Sequence, residues 1–86
     1  MNKIALTIAG SDCSGGAGIQ ADLKTFAAFQ ISGVSVITSI TSQNFHGVQA
    51  THDLPAEVIE TQLQAILSDS KPQAVKTGML GNEALV

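Results

Sequence analysis

The feature that most constrains this chain is a hydrophobic period that switches along its length. Residues 3–9 (KIALTIA) alternate Ile4, Leu6 and Ile8 with Ala5, Thr7 and Ala9. Both faces are therefore small or apolar, as in a strand covered on both sides. Residues 10–18 (GSDCSGGAG) read as a loop, with four glycines in nine positions. Residues 19–30 then place Ile19, Leu23, Phe26 and Ala27 on one helical face. Gly33 is expected in the turn that follows. Residues 34–40 (VSVITSI) are rich in β-branched side chains and predict a second buried strand. Residues 41–54 read as a polar connection containing Gln43, Asn44, His46, Gly47 and His52. Pro55 suits the first turn of a helix, where its missing N–H is not needed. Ile59, Leu63, Ile66 and Leu67 repeat at helical spacing after it, with Glu57, Glu60, Gln62 and Gln64 mostly off that stripe. Residues 74–77 predict a third, short strand ended by Gly78. Asn82 predicts the cap of one more helix (NEALV). No repeat, linker or low-complexity tract interrupts this order.

The order β-loop-α-β-loop-α-β predicts an α/β fold with a parallel sheet and crossover helices. A parallel sheet needs both faces covered, and two helices over three strands cover them poorly. Residues 1–86 are therefore expected to be the N-terminal segment of one larger α/β domain, incomplete by itself. Charged residues, at 13% of the chain, are about half the usual share. That scarcity points the same way, to apolar faces covered by a further segment or by a second copy.

Composition also excludes functions. Four lysines, no arginine and seven acids give a net charge of -3, which argues against nucleic acid, since phosphate contacts need clustered cations. No apolar run approaches the roughly 20 residues that span a bilayer. Lys3 precedes only a short apolar stretch without a clean cleavage site, so no secretory signal is expected. One cysteine excludes an internal disulfide framework, and two histidines with it make a poor metal set. A cytoplasmic globular chain is expected.

The strongest local signal for chemistry is the glycine loop between the first strand and the first helix. Glycines permit close backbone approach, and amides at a helix start favour an anion or an electron-rich ligand atom. A tight turn without a ligand is the plainer reading. The P-loop pattern fails, because Gly16 stands where lysine is required. Gly16, Gly18 and Ala21 match a dinucleotide pattern, but Ile40 and Thr41 stand where its ribose-binding acid belongs. Asp22, one turn into the helix, either answers the helix dipole or faces the pocket of the loop. Gln43 and Asn44 follow the second strand at its carboxyl end, where open α/β sheets bind ligands. A glutamine amide offers a donor and an acceptor, which suits a heterocycle edge bearing a ring nitrogen and an amino group; a plain loop residue is the alternative. Cys13 has no evident base beside it and reads as a bystander. His46 and His52 read as surface residues. Lys76, at a strand end, suits either a salt bridge or a phosphate contact.

Three stretches, ALTIAGSDCSGGAGIQADLKTF (5–26), SVITSITSQNFHGVQ (35–49) and VKTGMLG (75–81), resemble the hydroxymethylpyrimidine/phosphomethylpyrimidine kinases of thiamin biosynthesis, within the ribokinase-like superfamily. The resemblance runs in register over essentially the whole chain. It implies a ribokinase-like, three-layer parallel-sheet fold, of which this chain carries the N-terminal β-α-β-α-β portion. It implies ATP-dependent phosphorylation of 4-amino-5-hydroxymethyl-2-methylpyrimidine and then of its monophosphate, with ATP and Mg2+ as cofactors. By the same resemblance, Gln43 pairs with the pyrimidine edge, and Gly10, Ala17, Asp22, Thr41 and Met79 line the substrate pocket. The family's anion hole, catalytic residue and most of its nucleotide site are expected beyond Val86, so the 86 residues alone are expected to be inactive. The alternatives are a pyridoxal kinase of the same superfamily, a catalytically inactive fragment or a segment completed by a second chain, with a homo-oligomer compatible with each.

Overall fold

The computed structural model describes residues 3–78. Met79 and the expected NEALV helix lie outside the described residues. Six elements follow one another: strand β1 (Ile4–Asp12), helix α1 (Gly18–Ala28), strand β2 (Ser32–Asn44), strand β3 (Gly47–Asp53), helix α2 (Ala56–Leu67) and strand β4 (Ala74–Thr77). They form one four-stranded sheet in the order β3-β2-β1-β4.

β1 is the centre of this sheet, parallel to β2 on one side and to β4 on the other. Its sequence explains the position, because a strand small or apolar on both faces is stable only where both are covered. The chain moves across the sheet in opposite directions, first from β1 through α1 to β2, and later from the β2–β3 pair through α2 back past β1 to β4. Right-handed crossovers running in opposite directions put their helices on opposite faces. The side chains agree. Leu6 and Val36, with Ile8 and Val34, pack against Ile59, Leu63 and Ile66 of α2. On the other face, the Thr7 hydroxyl donates to Asp22 of α1 at 2.6 Å. Gly33 lets α1 come close, since a Cβ there would meet Leu23 Cδ2 at 2.6 Å. Gly33 is thus a strand residue under a helix, not the turn residue expected from sequence.

A second correction concerns residues 41–54. They are not a polar connection: β2 runs on to Asn44, and β3 returns beside it as an antiparallel edge strand. The sheet is therefore mixed, although its central pairs are parallel. The turn is short, with Asn44 opposite Gly47 and the Asn44 Oδ1 accepting from the His46 amide at 2.8 Å. Pro55 stands at the N-cap of α2, one position before the helix, and its carbonyl accepts from the Val58 and Ile59 amides. β4 spans the residues expected of it.

Where β3 does not reach, β2 has an uncovered edge. Gln62 of α2 serves it: Oε1 accepts from the Ile37 N–H and Nε2 donates to the Ile37 carbonyl, both at 2.9 Å. A backbone pair left without partners at that half-buried position would be costly.

Candidate functional site

The site begins at the carboxyl end of β1. Between Ala9 and Ser11 the β1–β2 register slips, so that two residues of β2, Thr38 and Ser39, oppose Gly10 alone. Such a bulge shifts the alternation of a strand by one residue. Val36 is buried before the slip. After it Thr41 is buried and Ile40 exposed, the reverse of what unbroken alternation gives. The slip thereby turns Thr41, and two residues later Gln43, toward Gly10 and Asp12. A Cβ at Gly10 would meet Ser39 Oγ at 3.0 Å and Thr41 Oγ1 at 3.9 Å, so only glycine leaves this corner open.

The glycine loop is organised by a residue that sequence reasoning passed over. Asp12 is 2% exposed. Its Oδ1 accepts from the Ser14 amide at 2.8 Å and the Ser14 hydroxyl at 2.7 Å. Its Oδ2 accepts from the Gly16 amide at 2.9 Å and the Ala17 amide at 2.8 Å. The Asp12 amide in turn donates to Gln20 Oε1 of α1 at 2.8 Å. The Ser14 hydroxyl does most to hold the carboxyl below its ordinary value; burial works against it, and the Ser14 and Ala17 amides and the Gln43 side chain add to the lowering. The expectation that amides at the helix start await an external anion is therefore corrected for Gly16 and Ala17: the chain supplies its own carboxylate. Ala17, the N-cap residue of α1, has no side chain able to cap. The Asp-x-Ser spacing was the available signal, because Asp side chains favour hydrogen bonds to the backbone two residues on.

These elements line a half-open cavity of about 220 Å3 whose walls include Gly10, Asp12, Ala17, Thr41, Gln43 and Lys76. It has room for one substituted six-membered ring. Gly10, Ala17, Thr41 and Gln43, all singled out from the sequence, come together here, and β3 adds Val48 and Thr51. Asp22 stands beside the cavity, not in its wall: Lys76 Nζ donates to its two oxygens at 3.0 and 2.9 Å, and Thr7 donates to Oδ2. Burial pushes the Asp22 carboxyl up, but the Thr7 hydroxyl and the Lys76 ammonium together leave it below its ordinary value. Lys76 is thus in a salt bridge, the first of its two readings. Cys13, expected to be idle, anchors Gln43: its Sγ accepts from the Gln43 amide at 3.3 Å and donates to the Gln43 carbonyl at 3.1 Å. Among the described residues, no three His, Cys, Asp or Glu side chains are placed to hold a metal ion. No described helix is long and apolar enough to cross a membrane.

A family profile described as phosphomethylpyrimidine kinase matches residues 12–86. The chain belongs to the phosphomethylpyrimidine kinase family. It is 54% identical over its whole length to a hydroxymethylpyrimidine/phosphomethylpyrimidine kinase of Rhizobium meliloti, and covers 32% of that protein. The chain thus spans about a third of the length of the curated relatives it matches. The crystal structure of a phosphomethylpyrimidine kinase from Clostridium difficile superposes with a TM-score of 0.94 at 54% identity, over 98% of this chain and 36% of that one. A pyridoxal kinase from Staphylococcus aureus, in complex with AMP-PCP and pyridoxal, superposes with a TM-score of 0.88 at 45% identity, over 99% of this chain and 32% of that one. The ribokinase-like fold expected from the sequence is therefore that of these phosphomethylpyrimidine and pyridoxal kinases, in its N-terminal part.

Proposed function

We propose that the chain carries the pyrimidine-binding part of a kinase that transfers a phosphoryl group from ATP to 4-amino-5-hydroxymethyl-2-methylpyrimidine and then to its monophosphate. One observation carries the reading: Gly10, Ala17, Thr41 and Gln43 converge on a ring-sized cavity at the carboxyl end of a parallel pair, in a chain of this family. Gln43 pairs with the ring-nitrogen and amino edge of the pyrimidine. Gly10 and Ala17 let the ring lie against backbone. Asp22 holds Lys76 at the rim, and Met79 belongs to the same pocket by resemblance.

Phosphoryl transfer is mostly positioning and electrostatic stabilisation of the transferring group. The described residues supply positioning for the acceptor alcohol. Since the segment spans about a third of its relatives' length, we assign Mg2+, most of the ATP site and the catalytic group to the remainder of the kinase domain. Residues 1–86 are on this reading one segment of a single kinase domain acting in the cytoplasm. Its partners are a small pyrimidine and ATP rather than nucleic acid or membrane.

A second reading, pyridoxal kinase, is favoured by the likeness to the Staphylococcus aureus enzyme. The test is pyrimidine-dependent and pyridoxal-dependent ATP consumption by the full-length protein carrying this segment. A higher kcat/KM for the aminopyrimidine supports the first reading. A higher value for pyridoxal replaces it with the second, and turnover of neither refutes both.

A further inference from the structure

Asp12 and Gln43 face one cavity from neighbouring strands. Asp12 is opposite Thr41 in the β1–β2 register, and Gln43 follows Thr41 by two residues, on the side to which the bulge turns both. The Asp12 carboxylate cannot swing away, because Ser14, Gly16 and Ala17 hold it through four hydrogen bonds. The Gln43 backbone is equally fixed, pinned through its N–H and its carbonyl by the neighbouring Cys13 thiol. Only the Gln43 side-chain amide is left to choose an orientation, and it does so next to a fixed anion. An ionised carboxylate has acceptors alone, so it attracts the NH2 end of an amide and repels the oxygen end.

We infer that Asp12 is a positioning residue that sets which way round the Gln43 amide faces, with Nε2 toward Asp12 and Oε1 toward the ligand. This rests on the proposed pyrimidine role of Gln43. An amide so turned offers the cavity one acceptor, Oε1, and one donor, the second hydrogen of Nε2. A ring bearing an exocyclic amino group beside a ring nitrogen meets both. A ring carrying an oxo group in place of the amino group sets acceptor against acceptor. Asp12 thereby acts through Gln43 to select amino-substituted over oxo-substituted rings, without touching either.

The test uses the full-length protein that carries this segment. Calorimetric dissociation constants are measured for the hydroxymethyl aminopyrimidine and for its oxo analogue, with wild type, Asp12→Asn and Ser14→Ala. Wild type is expected to prefer the amino ring by at least about tenfold, as sites built to hydrogen-bond a substrate group do. Asp12→Asn should bring the ratio to about threefold or less, because an Asn side chain satisfies either amide orientation. Ser14→Ala, which removes a donor to Asp12 but no charge, should keep the wild-type ratio. Protection of the Gly16 and Ala17 amides from exchange reports whether the loop survives each change. An unchanged ratio in an Asp12→Asn protein with a protected loop overturns the inference. Where that variant does not fold, wild type decides: glutamine-selective 15N spectra should show one Gln43 Nε2 proton exchanging slowly and shifting as Asp12 titrates. Two equivalent, freely exchanging protons overturn the inference. Failure of wild type to bind the aminopyrimidine overturns the pyrimidine reading instead, and the 15N spectra still decide whether Asp12 turns the amide.

Discussion

Gln43 and Gly18 show how differently two residues of one site can matter. Gln43 can be shortened without disturbing the backbone around it, so Gln43→Ala in the full-length protein should cost the ligand and not the fold. Loss of a buried polar partner is worth about 1–3 kcal/mol, or roughly tenfold to a hundredfold in affinity. Calorimetry should find that loss for the pyrimidine and little change for ATP; equal losses for both ligands would remove Gln43 from the assigned role. Gly18 opens α1 at φ +61, and a Cβ there would collide with the Gly10 carbonyl oxygen. Gly18→Ala should therefore cost at least about 1–3 kcal/mol, the range for a non-glycine residue forced into a left-handed conformation. A thermal midpoint within a degree of wild type would contradict that. Asp22 belongs to the same scale. Its folded-state carboxyl lies below its ordinary value of 3.8. Its contribution is therefore fully present above that value and lost as pH falls through the lower, folded one. With Lys76 51% exposed, the ion pair is worth about 1 kcal/mol or less. Stability of the full-length protein should change less between pH 6 and about pH 4 in wild type than below it, and Asp22→Asn should reduce the fall below about pH 4. An identical acid limb in both proteins would show that Asp22 carries none of it.

At the scale of elements, the connection between helix and sheet is more than apolar packing. α2 buries Ile59 against Leu6 and Val36, and its Gln62 closes the backbone of Ile37 where β3 stops short. Gln62→Leu keeps the size of the side chain and removes both hydrogen bonds. It should destabilise the full-length protein by about 1–3 kcal/mol in chemical denaturation, because unpaired backbone groups are left beside the helix. A change below about 0.5 kcal/mol would mean that water replaces Gln62 there. On the other face of the sheet, Asp22, Thr7 and Lys76 link α1, β1 and β4 in the same manner. Polar side chains thus fix where both helices stand relative to the strand ends that carry the site.

Across the described residues, both outer strands are open. β3 and β4 are exposed along their whole length, and Phe45 at the hairpin is 94% exposed. Phe29, Val48, Leu67 and Val75 are exposed as well. Open edges beside apolar side chains invite pairing with another chain. A polypeptide of these 86 residues, purified by itself, should therefore associate, melt without a sharp transition and consume no ATP in the presence of pyrimidine. Light scattering, a thermal scan and a coupled assay check the three statements. A monodisperse monomer with a cooperative transition would refute the first two, and measurable turnover would refute the third.

The sequence by itself determined the parallel core and most of the pocket. Period-2 runs of small and apolar residues admit only a covered strand, helical stripes admit only a helix packed on one face, and their alternation leaves a parallel sheet with its glycine loop at the carboxyl edge. Those constraints pointed to the glycine loop and left Gln43 open between a ligand contact and a loop residue; the family resemblance named Gly10, Ala17, Thr41 and Gln43 as pocket residues. The antiparallel edge strand was not legible, because a strand exposed on both faces has no hydrophobic period and its turn lacks a strong signal such as Asn-Gly. Nor was the bulge at Gly10, which depends on how two strands register and not on either alone. Tertiary structure decided three further points. Asp12 caps the loop from within, Asp22 pairs with Lys76, and Cys13 holds Gln43. Each is a choice among polar partners that residue type allows in several ways, settled only when the chain brings one of them within hydrogen-bond reach.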